Sequence, residues 1–236
     1  IKQGAMQELL TGKTRLPGFQ VKPGYQQTEV GVIPEDWSIQ KMGEFGESLI
    51  GLTYSPADVC DFGTLVLRSS NIQDGRLAFQ NNVFVQMNLP ERTITRKDDL
   101  LICVRNGSRN LIGKCTLINE DTAGSAFGAF MSVFRSAYNR YVCFQFKSYM
   151  IQRQINEILG ATINQITNRD LNSFRIPFPP TKAEQEAIAS VLSDMDTEIE
   201  QLETKLEKAK QIKQGMMHEL LTGRIRLVKP SSGKKQ

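Results

Sequence analysis

The chain has 236 residues, 40% hydrophobic and 23% charged, with a formal net charge of +4. That is enough apolar material for one full core plus an appendage, and no apolar run reaches the eighteen or so residues of a membrane span. The charge is also evenly spread, 4 basic against 2 acidic residues up to position 29, 15 against 14 over 30–180 and 10 against 9 beyond, so gross basicity does not announce nucleic acid.

With no charged-then-apolar leader, the expectation is a soluble, cytoplasmic protein. The cysteines, Cys60, Cys103, Cys115 and Cys143, show no CxxC or CxH spacing. They are read as reduced, mostly buried thiols rather than a zinc site or a disulfide framework.

In chain order, the first element is a phrase that returns. IKQGAMQELLTGKTRL opens the sequence and IKQGMMHELLTGRIRL occupies Ile212–Leu227, with twelve of sixteen positions identical. Solenoid repeats recur every 20 to 50 residues or so. A spacing this long points instead to a duplicated module, and Ile1 in place of an initiator methionine suggests a start inside a longer polypeptide. Gly223, followed by Arg224 and Arg226, supplies a helix stop and cations at the negative end of the helix dipole. Gly12 with Lys13 and Arg15 should end an equivalent helix. Mid-helix Gly4 and Gly215, each costing about 1 kcal/mol relative to alanine, mark either a close helix approach or simple tolerance. The stretch LPGFQVKPGYQQTEVGVIPEDW reads as a Pro/Gly linker into Trp37, itself a core anchor rather than a base-stacking residue.

From Val30 to Pro180 the pattern is mixed α and β. TLVLRSSNI, NVFVQM, DLLICVRNG, LIGKCTLI and AFMSVFRS are short β-branched or aromatic runs punctuated by turn residues, which predicts strands. A helix is expected from Arg140 to Leu159, stopped by Gly160. ATINQITNRDL then reads as a loop carrying Asn164 and Gln165, with Asn168 capping a short helix. Within RNGSRNLIGK, the residues Arg105, Asn106, Ser108, Arg109, Asn110 and Lys114 form an acid-free polar and basic cluster. Arginine and asparagine carry the planar edges that match guanine and adenine, and serine with glycine amides suits phosphate. The same NGS is ordinary hairpin-turn chemistry, so a plain solvated turn stays open. Arg68, Ser69 and Asn71 supply a second, similar group.

After IPFPP, Thr181 and Glu184 form a capping box that starts a helix. Apolar residues then fall in alternating steps of four and three: Ile188, Leu192, Met195, Ile199, Leu202, Leu206 and Ala209, then Met216 and Leu220. Lys213 interrupts the seam once. A long helix with so narrow an apolar stripe requires a partner helix.

No GxxxxGK[ST] or GxGxxG motif occurs. FPPT at Phe178–Thr181 only superficially echoes the Asn/Asp-Pro-Pro-aromatic tetrapeptide of amino-methyltransferases. The sole histidine, His218, stands where the other copy of the phrase has Gln7. An autonomous catalyst and a metal site are therefore not expected.

Taken together, these stretches resemble the specificity (S) subunits of type I restriction-modification systems. VGVIPEDW looks like the entry to a target recognition domain, LRSSNIQDGRL, DLLICVRNGSRNLIGKCTLI and AFGAFMSVFRS like its inner strands, and GATINQIT with FRIPFPPTKAEQEAIASVLSDMDTEIEQL like its exit into a long helix that ends in KQGMMHELLTGRIRL. The resemblance implies an α+β fold in half-length form. Residues 1–22 would be the tail of a central conserved helix and the start of a linker, 23–180 one target recognition domain, 181–226 the conserved helix pairing as an antiparallel coiled coil, and 227–236 a flexible tail. It also implies a non-catalytic reader of half of a bipartite DNA site. No cofactor is expected in this chain: methyltransferase subunits would bring S-adenosylmethionine, and a motor-nuclease subunit ATP and magnesium. A homodimer through the long helix would restore two recognition domains. The alternative is a structural coiled-coil adaptor without DNA readout.

Overall fold

A computed structural model describes residues 1–19, 24–161 and 164–225. The chain divides into two compact units, 1–192 and 193–236.

The helices are α1 (Lys2–Leu10), α2 (Met42–Phe45), α3 (Asn139–Lys147), α4 (Tyr149–Ala161), α5 (Asn168–Ser173) and α6 (Lys182–Leu221). The first unit is built on two small sheets. An antiparallel sheet runs in the order Cys115–Leu117, Leu100–Cys103, Met131–Arg135, Glu47–Ile50. Its second strand, the continuous apolar run Leu-Leu-Ile-Cys, is buried on both faces, as an unbroken rather than alternating pattern requires. A second sheet runs Ala126–Phe127, Thr64–Leu67, Phe84–Val85, Val59–Cys60, with its first pair parallel. Leu49, Leu101, Met131 and Val133 from the first sheet and Leu67 and Phe127 from the second share one core. Each of the five apolar runs of the sequence thus contributes a strand.

Several local expectations change. The helix predicted from Arg140 breaks at Ser148, whose backbone is extended (φ −74°, ψ 158°), and so becomes α3 and α4. Gly160 does not stop α4 but lies within it. Thr167, not Asn168, caps α5: its hydroxyl accepts from the Asp170 amide while the Asp170 carboxylate accepts from the Thr167 amide. Part of the supposed linker is a hairpin, Tyr25–Thr28 paired with Gly31–Pro34. Trp37 is a core residue, 2% exposed.

Only half of the capping box on α6 forms. The Thr181 hydroxyl accepts from the Glu184 amide at 3.2 Å, but the Glu184 side chain turns elsewhere. Its carboxylate, almost fully buried, receives the Nε and Nη2 of Arg15, the latter at 2.7 Å, and Arg15 also donates to both oxygens of Asp36 at 3.0 Å. Burial raises the Glu184 pKa above the ordinary carboxylate value while Arg15 pulls it back. Burial opposes the charge of Arg15 as well, yet its bonds to Glu184 and Asp36 leave it above its usual value. This knot ties the first copy of the repeated phrase to the domain. Leu9 and Leu10 are buried, the Leu10 carbonyl accepts from Gln145, and a Cβ on Gly12 (φ +69°) would lie 2.6 Å from Pro34.

In the second unit, α6 continues from Ser193 to Leu221. Along the predicted seam Ile188 and Leu192 are buried and Met195, Ile199 and Leu220 half-buried, whereas Leu202, Leu206, Ala209 and Met216 are exposed. Leu202 and Leu206 each show 56% of their surface, an arrangement unfavourable for leucine in water. A Cβ on Gly4 or Gly215 would meet nothing within 4 Å, so neither glycine marks a close approach among the described residues of its own unit. The predicted tail at 227–236, and Arg226, lie outside the described residues.

Candidate nucleic-acid interface

Three stretches far apart in sequence meet at Arg105 and Asn106. The first is the hairpin loop Val104–Lys114, which joins the paired strands Leu100–Cys103 and Cys115–Leu117, so the turn reading of NGS is correct as far as the backbone goes. Within it the Asn106 side chain accepts from the Ser108 amide at 3.0 Å, and Arg109–Leu111 form a single 3₁₀ turn. Arg105, Ser108, Arg109 and Asn110 are exposed and Asn106 and Lys114 half-buried. The loop base is fixed by the buried Cys103, whose thiol donates to the Arg105 carbonyl at 3.6 Å. Burial pushes that thiol up to about 11, which keeps it a neutral donor at physiological pH.

The second stretch, Arg68–Asn71, joins through the Asn106 amide, which donates to the Ser69 hydroxyl at 3.1 Å. Asn71 itself is fully buried. Its carbonyl oxygen accepts from the Arg68 amide, and its NH₂ donates to Ala78 and Asn82, so its polar atoms hold the turn together and leave nothing to offer a ligand. The third stretch arrives by an isolated antiparallel bridge between Arg105 and Gln165, next to a 2.8 Å bond from the Ile166 amide to the Val104 carbonyl. Asn164 and Gln165 are half-buried beside the loop.

The cations of this face are left without carboxylate partners, a state that Lys13, Lys41, Arg92 and Arg169 share among the described residues but that most other arginines of the first unit do not. Arg15, Arg96, Lys97, Arg135, Arg140, Arg153 and Arg175 each pair with a carboxylate. Arg68, Arg105, Arg109 and Lys114 have no such partner among the described residues. Arg68 and Arg109 donate instead to the backbone carbonyls of Asn81 and Asn156. Uncompensated cations next to amides and hydroxyls suit a polyanion with readable edges.

One residue of this site escaped the sequence reading. Phe130 lies in the AFMSVFRS run and is 54% exposed, with the Arg105 guanidinium 5.2 Å from its ring centroid. Its carbonyl accepts the amides of Val104 and Arg105 at 3.0 and 3.1 Å, so a fixed backbone presents an open aromatic ring. Alternation along the run gave no hint of this, because the strand proper starts only at Met131.

Among the described residues no cluster of three or more His, Cys, Asp or Glu side chains could hold a metal ion, and no helix is long and apolar enough to cross a membrane. The four cysteines form no disulfide among the described residues, and Cys60 alone is partly accessible.

The fold is that of an α+β module with a long helix. Comparison with known proteins places it further. Residues 34–211 match the family of type I restriction modification DNA specificity domains. The chain is 27% identical over 204 residues to the type I restriction enzyme EcoKI specificity subunit of Escherichia coli, covering 83% of this chain and 44% of that protein. It is 24% identical over 234 residues to the MjaVIII specificity subunit of Methanocaldococcus jannaschii, covering 96% and 54%. Its fold resembles the crystal structures of the HsdS subunit from Thermoanaerobacter tengcongensis (TM-score 0.59, 16% identity, covering 92% of this chain and 50% of that one) and of the S subunit from M. genitalium (0.60, 14%, 93% and 52%). The chain belongs to the type I restriction modification DNA specificity domain family. It spans about half the length of the curated relatives it matches.

Proposed function

We propose that this chain reads half of a bipartite DNA sequence through the face formed by Arg105, Asn106, Ser108, Arg109, Asn110 and Lys114, with Arg68, Ser69, Asn164 and Gln165 at its margin. Arg105 and Arg109 read base edges, and Lys114 and Arg68 hold phosphates. The seam of α6 pairs antiparallel with a second long helix, supplied by another copy of the chain or another module, and spaces two such readers along the duplex. On this platform sit methyltransferase subunits carrying S-adenosylmethionine and a motor-nuclease subunit using ATP and magnesium, in the cytoplasm.

The observation that carries the reading is the meeting of three distant stretches at one group of cations without carboxylate partners. A plain solvated turn has no need of the other two. The test is DNA binding by the complex reconstituted with methyltransferase subunits. Arg105→Ala and Arg109→Ala should each remove about 1–3 kcal/mol of discrimination between the preferred and a mismatched duplex. Lys114→Ala should weaken all duplexes alike and lower the salt dependence. Unchanged affinity and preference in both arginine variants would place the reading face elsewhere.

A further inference from the structure

Beside the Arg105–Asn106 junction the first unit carries a cleft of about 730 Å³, a size typical of small-ligand sites. Phe130, Tyr54, Thr53, Arg68, Ser70 and Asn81 are among the residues that line it. Two features set it apart from a crevice between loops. The open ring of Phe130 is backed by the Arg105 guanidinium, and its backbone carbonyl is held by the amides of Val104 and Arg105. Arg68 Nε and Ser70 Oγ are shielded from solvent and make no hydrogen bond. An orphaned buried donor costs its full desolvation, and an acceptor that reaches it, from an ordered water or from a ligand, relieves that cost. An aromatic face, a guanidinium with no carboxylate partner and an unsatisfied hydroxyl are together the complement of one nucleotide, with a stacking base at one end and an anionic phosphate at the other.

We infer that the Phe130 cleft accepts a single nucleotide, its base stacked on Phe130 and its phosphate toward Arg68 and Ser70. Where the DNA-reading proposal holds, which this inference deepens, the nucleotide is one displaced from the duplex stack beside the bases read by the Arg105 loop. Part of the affinity then depends on local unstacking of the DNA.

The test has two arms. In the first, 2-aminopurine is placed in turn at each position of a duplex bound by the reconstituted complex. One position should brighten on binding. Phe130→Ala should abolish that signal and weaken binding roughly 5- to 150-fold, the range of a lost base–aromatic stack, whereas Phe130→Trp should retain both. Since the ring is more than half exposed, the alanine variant should melt like the parent chain, which separates a lost stack from a lost fold. In the second arm, the full chain is titrated with free adenosine monophosphate and followed by the nucleotide-induced shift of the Phe130 ring resonances. Binding lost in Arg68→Ala shows a nucleotide site even if duplex DNA is never bound. Duplex binding that depends on Arg105 but is indifferent to Phe130→Ala, with no brightening position, overturns the inference and leaves the reading face intact. No response to either probe overturns it as well.

Discussion

The two copies of the repeated phrase have nearly the same local structure and opposite surroundings. In both, the glycine has positive φ, +69° at Gly12 and +71° at Gly223. In both, a threonine hydroxyl donates back at 2.6 Å, from Thr11 to Gln7 and from Thr222 to His218. An amide two residues past the glycine closes the turn at 3.2 Å, from Thr14 to Glu8 and from Ile225 to Glu219. Yet Leu10 is fully buried and Leu221 is 81% exposed, and the space that Pro34 fills beside Gly12 is open beside Gly223. Sixteen residues are enough to dictate how a helix ends. They do not dictate what it packs on, because the groups that cover the first copy, Pro34, Trp37, Gln145 and Glu184, are distant in the chain.

The sharpest way to break this comparison is at Arg15. Arg15→Met leaves the buried Glu184 carboxylate without its cation, and the expected loss is about 3–5 kcal/mol near neutral pH. With its cation gone, Glu184 moves further above its ordinary value. The native state then binds protons better than the unfolded chain between the unfolded and folded pKa, so the deficit shrinks as pH falls through that interval. Urea unfolding of parent and variant at several pH values checks both statements. A deficit that grows toward acid would contradict the assignment of Arg15 as the counter-charge of Glu184.

A matched pair of truncations gives the next effect. Leu10→Ala should cost about 2–5 kcal/mol, the range for a packed leucine, and Leu221→Ala less than about 0.5 kcal/mol in the same denaturant measurement. Equal costs would mean that the second copy is covered in solution and would point to a partner on it.

How much of this was legible beforehand depended on the range of the interaction. The strand runs, the Thr181 start of α6, the stops at Gly12 and Gly223 and the burial of Trp37 are written in neighbouring residues, and they can be read from them. Arg15 and Glu184 lie 169 positions apart, so nothing local could show that Glu184 would leave its capping box for a salt bridge. The break at Ser148 has no proline or glycine to announce it. Asn71 and Asn106 are chemically identical, and only the fold separates the one sealed in a turn from the one on the open face. Phe130 was hidden for the opposite reason, since an aromatic next to a strand run is read as core until its surroundings are seen.

The most direct measurement of the central claim is a photo-crosslink from the loop itself. Replacing exposed Asn110 with a benzophenone amino acid and irradiating the reconstituted complex on duplex DNA should give a covalent adduct with the preferred sequence that excess unlabelled preferred duplex removes and a mismatched duplex does not. Sequence-specific DNA binding by that complex with no adduct at Asn110 would show that the loop stands away from the DNA.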